Sequence, residues 1–168
     1  MEQVGKGGFG MVFRALNRDV NRVVAIKIPR LQILASPDLE SRFIREAKAA
    51  GTLSHPNIAT VFEAGRDEEV FYIASQFVDG ISLAEWLSMS GALPNSNQVA
   101  KLISVLAGAL QHAHDRGVLH RDLKPANILL KNNRETNIDD SDGHEIENPM
   151  ITDFGMAKLD AESSEITV

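Results

Sequence analysis

No cysteine occurs among the 168 residues, so disulfides and thiolate metal sites are excluded, and the chain fits a reducing compartment. No apolar run is long enough to span a bilayer, and the N-terminus lacks the pattern of a secretory signal. The chain is therefore expected to be cytoplasmic, either alone or as the cytoplasmic part of a membrane-anchored parent. Positive charge is not in excess. Lys and Arg number 17 against 23 Asp and Glu, a net charge of −6, which argues against a nucleic-acid partner. No internal repeat is present. What remains is an ordinary globular balance, 43% hydrophobic and 24% charged, in a length suited to one domain.

The densest chemistry lies in His120-Arg121-Asp122-Leu123-Lys124-Pro125-Ala126-Asn127, followed by the apolar Ile128-Leu129-Leu130. Asp122 can accept a proton, Lys124 can neutralise an anion, and Asn127 can hold a hard cation by its carbonyl oxygen. Arg121 can pair with a further anion. Such density between apolar segments predicts a catalytic loop on a rigid base rather than a solvated turn.

Upstream, Gly5-Lys6-Gly7-Gly8-Phe9-Gly10 carries G-x-G-x-x-G, in which glycine lets the backbone approach a phosphate closely. Dinucleotide-binding folds share that spacing but need a helix to begin within it. Here Met11 to Leu16 is bulky, partly alternating and uncapped, which predicts a strand. Arg22 to Ile28 predicts a second strand beyond the polar turn Asn17 to Asn21, placing Ala25 and Lys27 on one face. Ser36-Pro37-Asp38 opens a helix with cap, proline and acid in favourable places. Its apolar face reads Leu39, Phe43, Ala47, Ala50 and Leu53, with Glu46 beside it. By themselves Lys27 reads as a surface lysine on an edge strand and Glu46 as a solvated helix acid. Ile58 to Ala64 and Val70 to Phe77 predict two more strands around a turn at Gly65 to Glu69.

Ser82-Leu83-Ala84-Glu85 is a capping box for a short helix containing Trp86. A longer helix follows Pro94-Asn95-Ser96, with an expected stripe of Val99, Leu102, Ile103, Leu106 and Leu110, stopped by Gly117. His112 and His114 are two apart and face different directions, so no metal pair is expected there. Residues 131–148 are rich in Asp, Glu and Asn and predict a flexible acidic insertion. Asp140-x-Asp142-Gly143 resembles a calcium loop, but Ile138 and Pro149 stand where ligands would be needed. Met150-Ile151-Thr152 predicts a brief strand before Asp153-Phe154-Gly155.

Five motifs in this order resemble the protein kinases, and more narrowly the bacterial Ser/Thr kinases related to the eukaryotic ones: the glycine loop, Val24-Ala25-Ile26-Lys27, the helix glutamate, the catalytic loop and Asp-Phe-Gly. The likeness runs through residues 3–160. It implies an α+β fold with an N-lobe over 1–78, made of an antiparallel sheet plus one helix. An incomplete helical C-lobe would cover 79–168. It further implies ATP and Mg²⁺ as cofactors and a protein Ser or Thr hydroxyl as acceptor. On this resemblance Asp122, Lys124, Lys27 and Glu46 are catalytic, with Glu46 pairing Lys27. Gly5, Lys6, Gly7, Gly8, Phe9, Gly10, Val12, Ala25, Lys27, Gln76, Val78 and Leu129 would hold the nucleotide, and Asn127 and Asp153 the metal. Ser75 would be the gatekeeper. Val61, His120 and Phe154, with Ala50, would form an internal stack. Arg121 would answer a phosphate on the activation segment, for which Ser163, Ser164 and Thr167 are candidates.

The sequence ends before any Ala-Pro-Glu motif and before the later helices of such a fold. A truncated product or a piece of a longer kinase is expected, with an apolar surface left for a partner or for the missing helices. The alternative is a non-catalytic kinase module that binds nucleotide or a partner protein.

Overall fold

The computed structural model describes residues 1–7, 9–30, 34, 36–89, 94–131 and 148–154. Gly8, nearly all of the expected acidic insertion, Gly155 and the three candidate phosphate acceptors lie outside the described residues.

The first half builds a five-stranded antiparallel sheet. Its strands are β1 (Glu2–Lys6), β2 (Gly10–Asn17), β3 (Arg22–Pro29), β4 (Val61–Asp67) and β5 (Val70–Gln76), in the order β1-β2-β3-β5-β4. Register puts Val12 opposite Lys27 and Ala25 opposite Ser75, so these four share one region of the sheet. Gly10 is required by close approach, since a Cβ there would collide with the Ile28 carbonyl. The β4–β5 turn is tighter than expected: the strands continue to Asp67, and Glu68 turns the chain with φ 51°. The expected turn residues Gly65 to Asp67 are paired because their partners Tyr72, Phe71 and Val70 hold the ladder.

Helix α1 (Pro37–Ala50) lies against this sheet. The Ser36 hydroxyl accepts the Leu39 N–H, as the cap pattern requires. Leu39, Phe43, Ala47 and Ala50 are buried at spacings of four, four and three. Phe43 is wholly buried. It stacks on Phe9 at 6.3 Å and meets the edge of Phe71 at 6.1 Å, so one aromatic cluster fastens α1 to β5 and to the β1–β2 connection.

The second half is a helical layer with a small sheet. It comprises β6 (Gly80–Ser82), α2 (Leu83–Met89), α3 (Ser96–His114), β7 (Ile128–Lys131) and β8 (Pro149–Ile151), the strands ordered β6-β7-β8. The Ser82–Glu85 box forms as expected, with the Glu85 carboxylate accepting the Ser82 N–H and the Ser82 hydroxyl accepting the Glu85 N–H. Asn95 and Gln98 form a second reciprocal box at the start of α3. Gly117, at φ 71°, closes that helix: its N–H reaches the His114 carbonyl and the Val118 N–H reaches Ala113.

The buried line of α3 keeps Leu102 and Leu106 of the expected stripe, with Leu110 partly buried beside it, but not Val99 and Ile103. Leu102, Leu106, Ala109 and Ala113 are buried, while Val99 and Ile103 are 40% and 58% exposed. Both lines have helical spacing. The small Ala109 and Ala113 let the helix approach closely enough to pack with Leu53, Trp86 and Ile128, and that contact selects their face.

The two layers are stitched by backbone. Ile151 N–H donates to the Asn57 carbonyl at 2.8 Å, and Ala59 N–H donates to the Ile151 carbonyl at 2.9 Å. The Asn57 side-chain amide adds a bond to the Pro149 carbonyl.

Phe43→Ala is expected to cost about 3–5 kcal/mol of unfolding free energy, read by urea denaturation, against less than about 0.5 kcal/mol for Val20→Ala on the exposed β2–β3 turn. A cost at Phe43 below about 1 kcal/mol would show that the aromatic cluster does not anchor α1.

Candidate active site

A cavity of about 610 Å³ opens between the large sheet and the small one. Gly5, Lys6 and Val12 line it from β1 and β2, and Ala25 and Lys27 from β3. Gln76 and Val78 lie where β5 leaves the sheet, and Leu129 closes the opposite wall from β7. Eight of the expected nucleotide contacts thus fall on one cavity of a volume usual for cofactor-sized ligands. The Gln76 N–H is engaged by the Thr60 carbonyl at 2.8 Å. The cavity runs past Ser75 to Ala50 and Phe154 because Ser75, Ala50 and Ala59 are small. Gly7, Gly10 and Phe9 are not on its wall. The Phe9 ring is turned away into the α1 cluster and is only 9% exposed.

The charged groups pair differently from expectation. Lys27 Nζ meets Asp153 Oδ2 at 2.7 Å and lies 4.4 Å from the centre of the Phe9 ring. Glu46 Oε1 instead accepts from Arg121 Nη1 at 3.0 Å, with Arg42 Nε at 3.4 Å, while its Oε2 is buried without a hydrogen-bond partner. The expected Lys27–Glu46 pair is therefore not formed. The Phe9 ring contacts both the Lys27 ammonium and Phe43 of α1, and the Arg42 and Arg121 guanidinium groups hold the Glu46 carboxylate.

Asp122, Lys124 and Asn127 form one cluster. Lys124 Nζ lies 2.6 Å from Asp122 Oδ2, and the Asn127 amide donates to the Asp122 backbone carbonyl at 2.8 Å and to its Oδ2 at 3.2 Å. Asn127 is buried, and its backbone carbonyl accepts the Thr152 N–H, which ties the loop to the strand leading to Asp153. Burial pushes the Asp122 carboxyl up, but the Lys124 hydrogen bond and charge, with the Asn127 amide, outweigh it and hold the group below the ordinary carboxylate value. Asp122 thus stays ionised at neutral pH. Asn127 and Asp153 offer the amide and carboxylate oxygens that suit a hard cation such as Mg²⁺.

His120 orients the loop from beneath. Its Nδ1 faces the Asp122 N–H at 3.3 Å and its Nε2 faces the Thr152 carbonyl at 2.7 Å. Those contacts select the neutral Nε2–H tautomer, accepting from Asp122 and donating to Thr152. Burial lowers its pKa, against the pull of the Thr152 carbonyl and the two nearby aspartates. Its ring lies 4.7 Å from Phe154, and Phe154, Ala50 and Val61 share one apolar cluster, so the expected stack is assembled. Arg121 and Asp153 both have φ of 66°, a left-handed conformation uncommon in non-glycine residues. Three contributors were absent from the sequence reading. Thr152 braces both His120 and Asn127, Arg30 donates to the Gly7 carbonyl at 2.8 Å, and Arg42 shares Glu46. No local signal marks Arg30, whose contact spans the β2–β3 hairpin.

An antiparallel sheet with one helix thus faces a helical layer across a cleft and is joined to it by a lysine–aspartate pair. The chain belongs to the protein kinase domain family, whose model matches residues 1–168. It is 38% identical over 157 residues to the serine/threonine-protein kinase pkn3 of Myxococcus xanthus, covering 93% of this chain and 27% of that protein. It is 32% identical over 154 residues to PrkC of Bacillus subtilis, covering 92% and 22% respectively. The crystal structure of the Mycobacterium tuberculosis PknI kinase domain matches with a TM-score of 0.77 and 28% identity, over 94% of this chain and 57% of that one. The chain spans about a quarter of the length of these curated relatives.

The His120 contacts generate a pH prediction. A folded state that holds the imidazole neutral is fully stabilised above the free value near about 6.5 and loses that stabilisation as pH falls through the lower native value. His55 acts in the same sense, through burial and then the neighbouring His112. The melting temperature should fall between pH 7.5 and 5, about half as steeply in His120→Gln, which can still accept and donate. An unchanged slope in that variant would remove His120 as a source.

Proposed function

We propose that the chain is the nucleotide-binding and catalytic portion of a Ser/Thr protein kinase, transferring the ATP γ-phosphoryl group to a protein hydroxyl. Residues 1–78 serve as the N-lobe and 79–168 as part of the C-lobe. The observation that carries the reading is the locked Asp122–Lys124–Asn127 cluster, bound through Thr152 to the segment whose Asp153 faces Lys27 across the cavity. The relatives are serine/threonine-protein kinases by name, which supports the acceptor class.

Val12 and Ala25 above and Leu129 below form apolar walls for an adenine ring, with Gln76 and Val78 at its edge. Lys27 holds the α- and β-phosphates by charge. Asp122, ionised and fixed by Asn127, orients the acceptor hydroxyl and takes its proton. Lys124 offsets the charge on the moving phosphoryl group. Asn127 and Asp153 hold Mg²⁺, which when bound neutralises the phosphate oxygens and polarises the terminal phosphate. Glu46 steadies Lys27 once it leaves Arg121. Among the described residues no helix is long and apolar enough to cross a membrane, and we place the chain in the cytoplasm. A second reading, a nucleotide-binding module without transfer, draws on the absent Lys27–Glu46 pair.

The test is transfer of labelled phosphate from Mg-ATP to a generic Ser/Thr substrate, alongside thermal stabilisation by Mg-ATP. Asp122→Asn should lower the rate by about 10²–10⁴ while keeping the thermal shift. Activity within a few-fold of the unaltered chain would overturn the role of Asp122. Thermal stabilisation without any transfer would favour the second reading.

A further inference from the structure

Arg30 is the first residue past β3, and the close approach of Gly10 to the Ile28 carbonyl brings it to the turn that joins β1 to β2. It holds that turn by two carbonyls. The Arg30 N–H donates to the Phe9 carbonyl at 2.9 Å, and its guanidinium Nη2 donates to the Gly7 carbonyl at 2.8 Å. A third bond, from the Gly7 N–H to the Gly10 carbonyl at 2.9 Å, closes the turn on itself. The glycines have no side chain with which to fix their own conformation, so a side chain from β3's end does it for them. Among the described residues no carboxylate pairs with Arg30, so its charge is left to the turn.

Gly5 and Lys6, directly before Gly7, line the cavity. Backbone binds an anion where its N–H groups face the ligand, whereas carbonyl oxygens carry partial negative charge and oppose it. We infer that Arg30 is a positioning residue for the phosphates of the nucleotide. It engages the Gly7 and Phe9 carbonyls, so that neither oxygen is left to oppose a phosphate. It also holds the turn in one shape before the ligand arrives, which lowers the ordering entropy lost on binding. Its own charge adds to the attraction. The apolar walls at Val12, Ala25 and Leu129 do not depend on it, so Arg30 acts on the phosphates and not on the adenine ring. The inference rests on the kinase reading of the cavity.

The experiment compares Mg-ATP and adenosine binding to the whole chain by isothermal titration calorimetry. Arg30→Met keeps the apolar stem and removes both the charge and the side-chain donor. It should weaken Mg-ATP about tenfold, the loss expected of one charged hydrogen bond. Adenosine, which has no phosphate, should stay within about twofold, the range of a surface substitution away from the ligand. The melting temperature without nucleotide should move by less than about 2 °C, because Arg30 is exposed. Arg30→Lys, which keeps a charged donor, should regain most of the lost affinity, and a merely structural loss would not be regained in that pattern. Unchanged Mg-ATP affinity in Arg30→Met, an equal loss for adenosine, or no recovery in Arg30→Lys overturns the role of Arg30 and leaves the kinase reading standing. A native chain that binds no Mg-ATP overturns both.

Discussion

The backbone bonds between Ile151 and the Asn57–Ala59 segment fix how the two layers meet. Ile151 is wholly buried, and two residues further on the chain delivers Asp153 to Lys27. The other flank of that strand is bound just as directly, since the Asn127 carbonyl receives the Thr152 N–H. One short strand therefore sets the relative position of the sheet's lysine, the loop's aspartate and the aspartate that precedes Phe154. Backbone bonds suit this task because they have one geometry and no rotamers, so the error in placing each side chain begins small.

Upon that frame Lys27, Arg42 and Glu46 are sheltered, while Asp122 and Lys124 are open to solvent. Glu46 is the most demanding of them, half-buried and with its Oε2 atom buried without a hydrogen-bond partner. Its two arginines come from different layers, Arg42 one turn earlier on α1 and Arg121 from the catalytic loop. The same carboxylate thus ties α1 to the loop. The net worth of such a pair is small because desolvation opposes attraction, yet removal of one partner is costly. A pair of that kind holds a definite arrangement without adding much stability, which makes it exchangeable for another pair of similar worth.

The histidines show a related economy of contacts. His120 and His55 each use Nδ1 to accept a backbone N–H two residues ahead, from Asp122 and Asn57. A proton on either Nδ1 would set two donors against each other. Burial lowers both pKa values, and the Nδ1 contacts favour the same neutral imidazole.

Composition, period and motif order determined much of this protein. Most strands of the large sheet, the capped helices and the buried face of α1 were legible because each depends on spacing within a few neighbours, whereas β6 was not, since Asp79-Gly80 reads as a break. Val12, Ala25 and Leu129 could be placed on one cavity from strand alternation and family likeness. The partners of Lys27 and Glu46 could not. Whether a lysine meets a carboxylate 19 or 126 positions away is settled only when β3, α1 and the segment after β8 pack together. Nor could the whole buried line of α3: Leu102 and Leu106 were legible, but Ala109 and Ala113 complete it in place of Val99 and Ile103. There the close approach allowed by Ala109 and Ala113 decided. Arg30, Arg42 and Thr152 carry no local pattern at all, because their roles consist of contacts made only when distant segments pack. Local spacing specifies which side chains share a face, and packing alone specifies what that face meets.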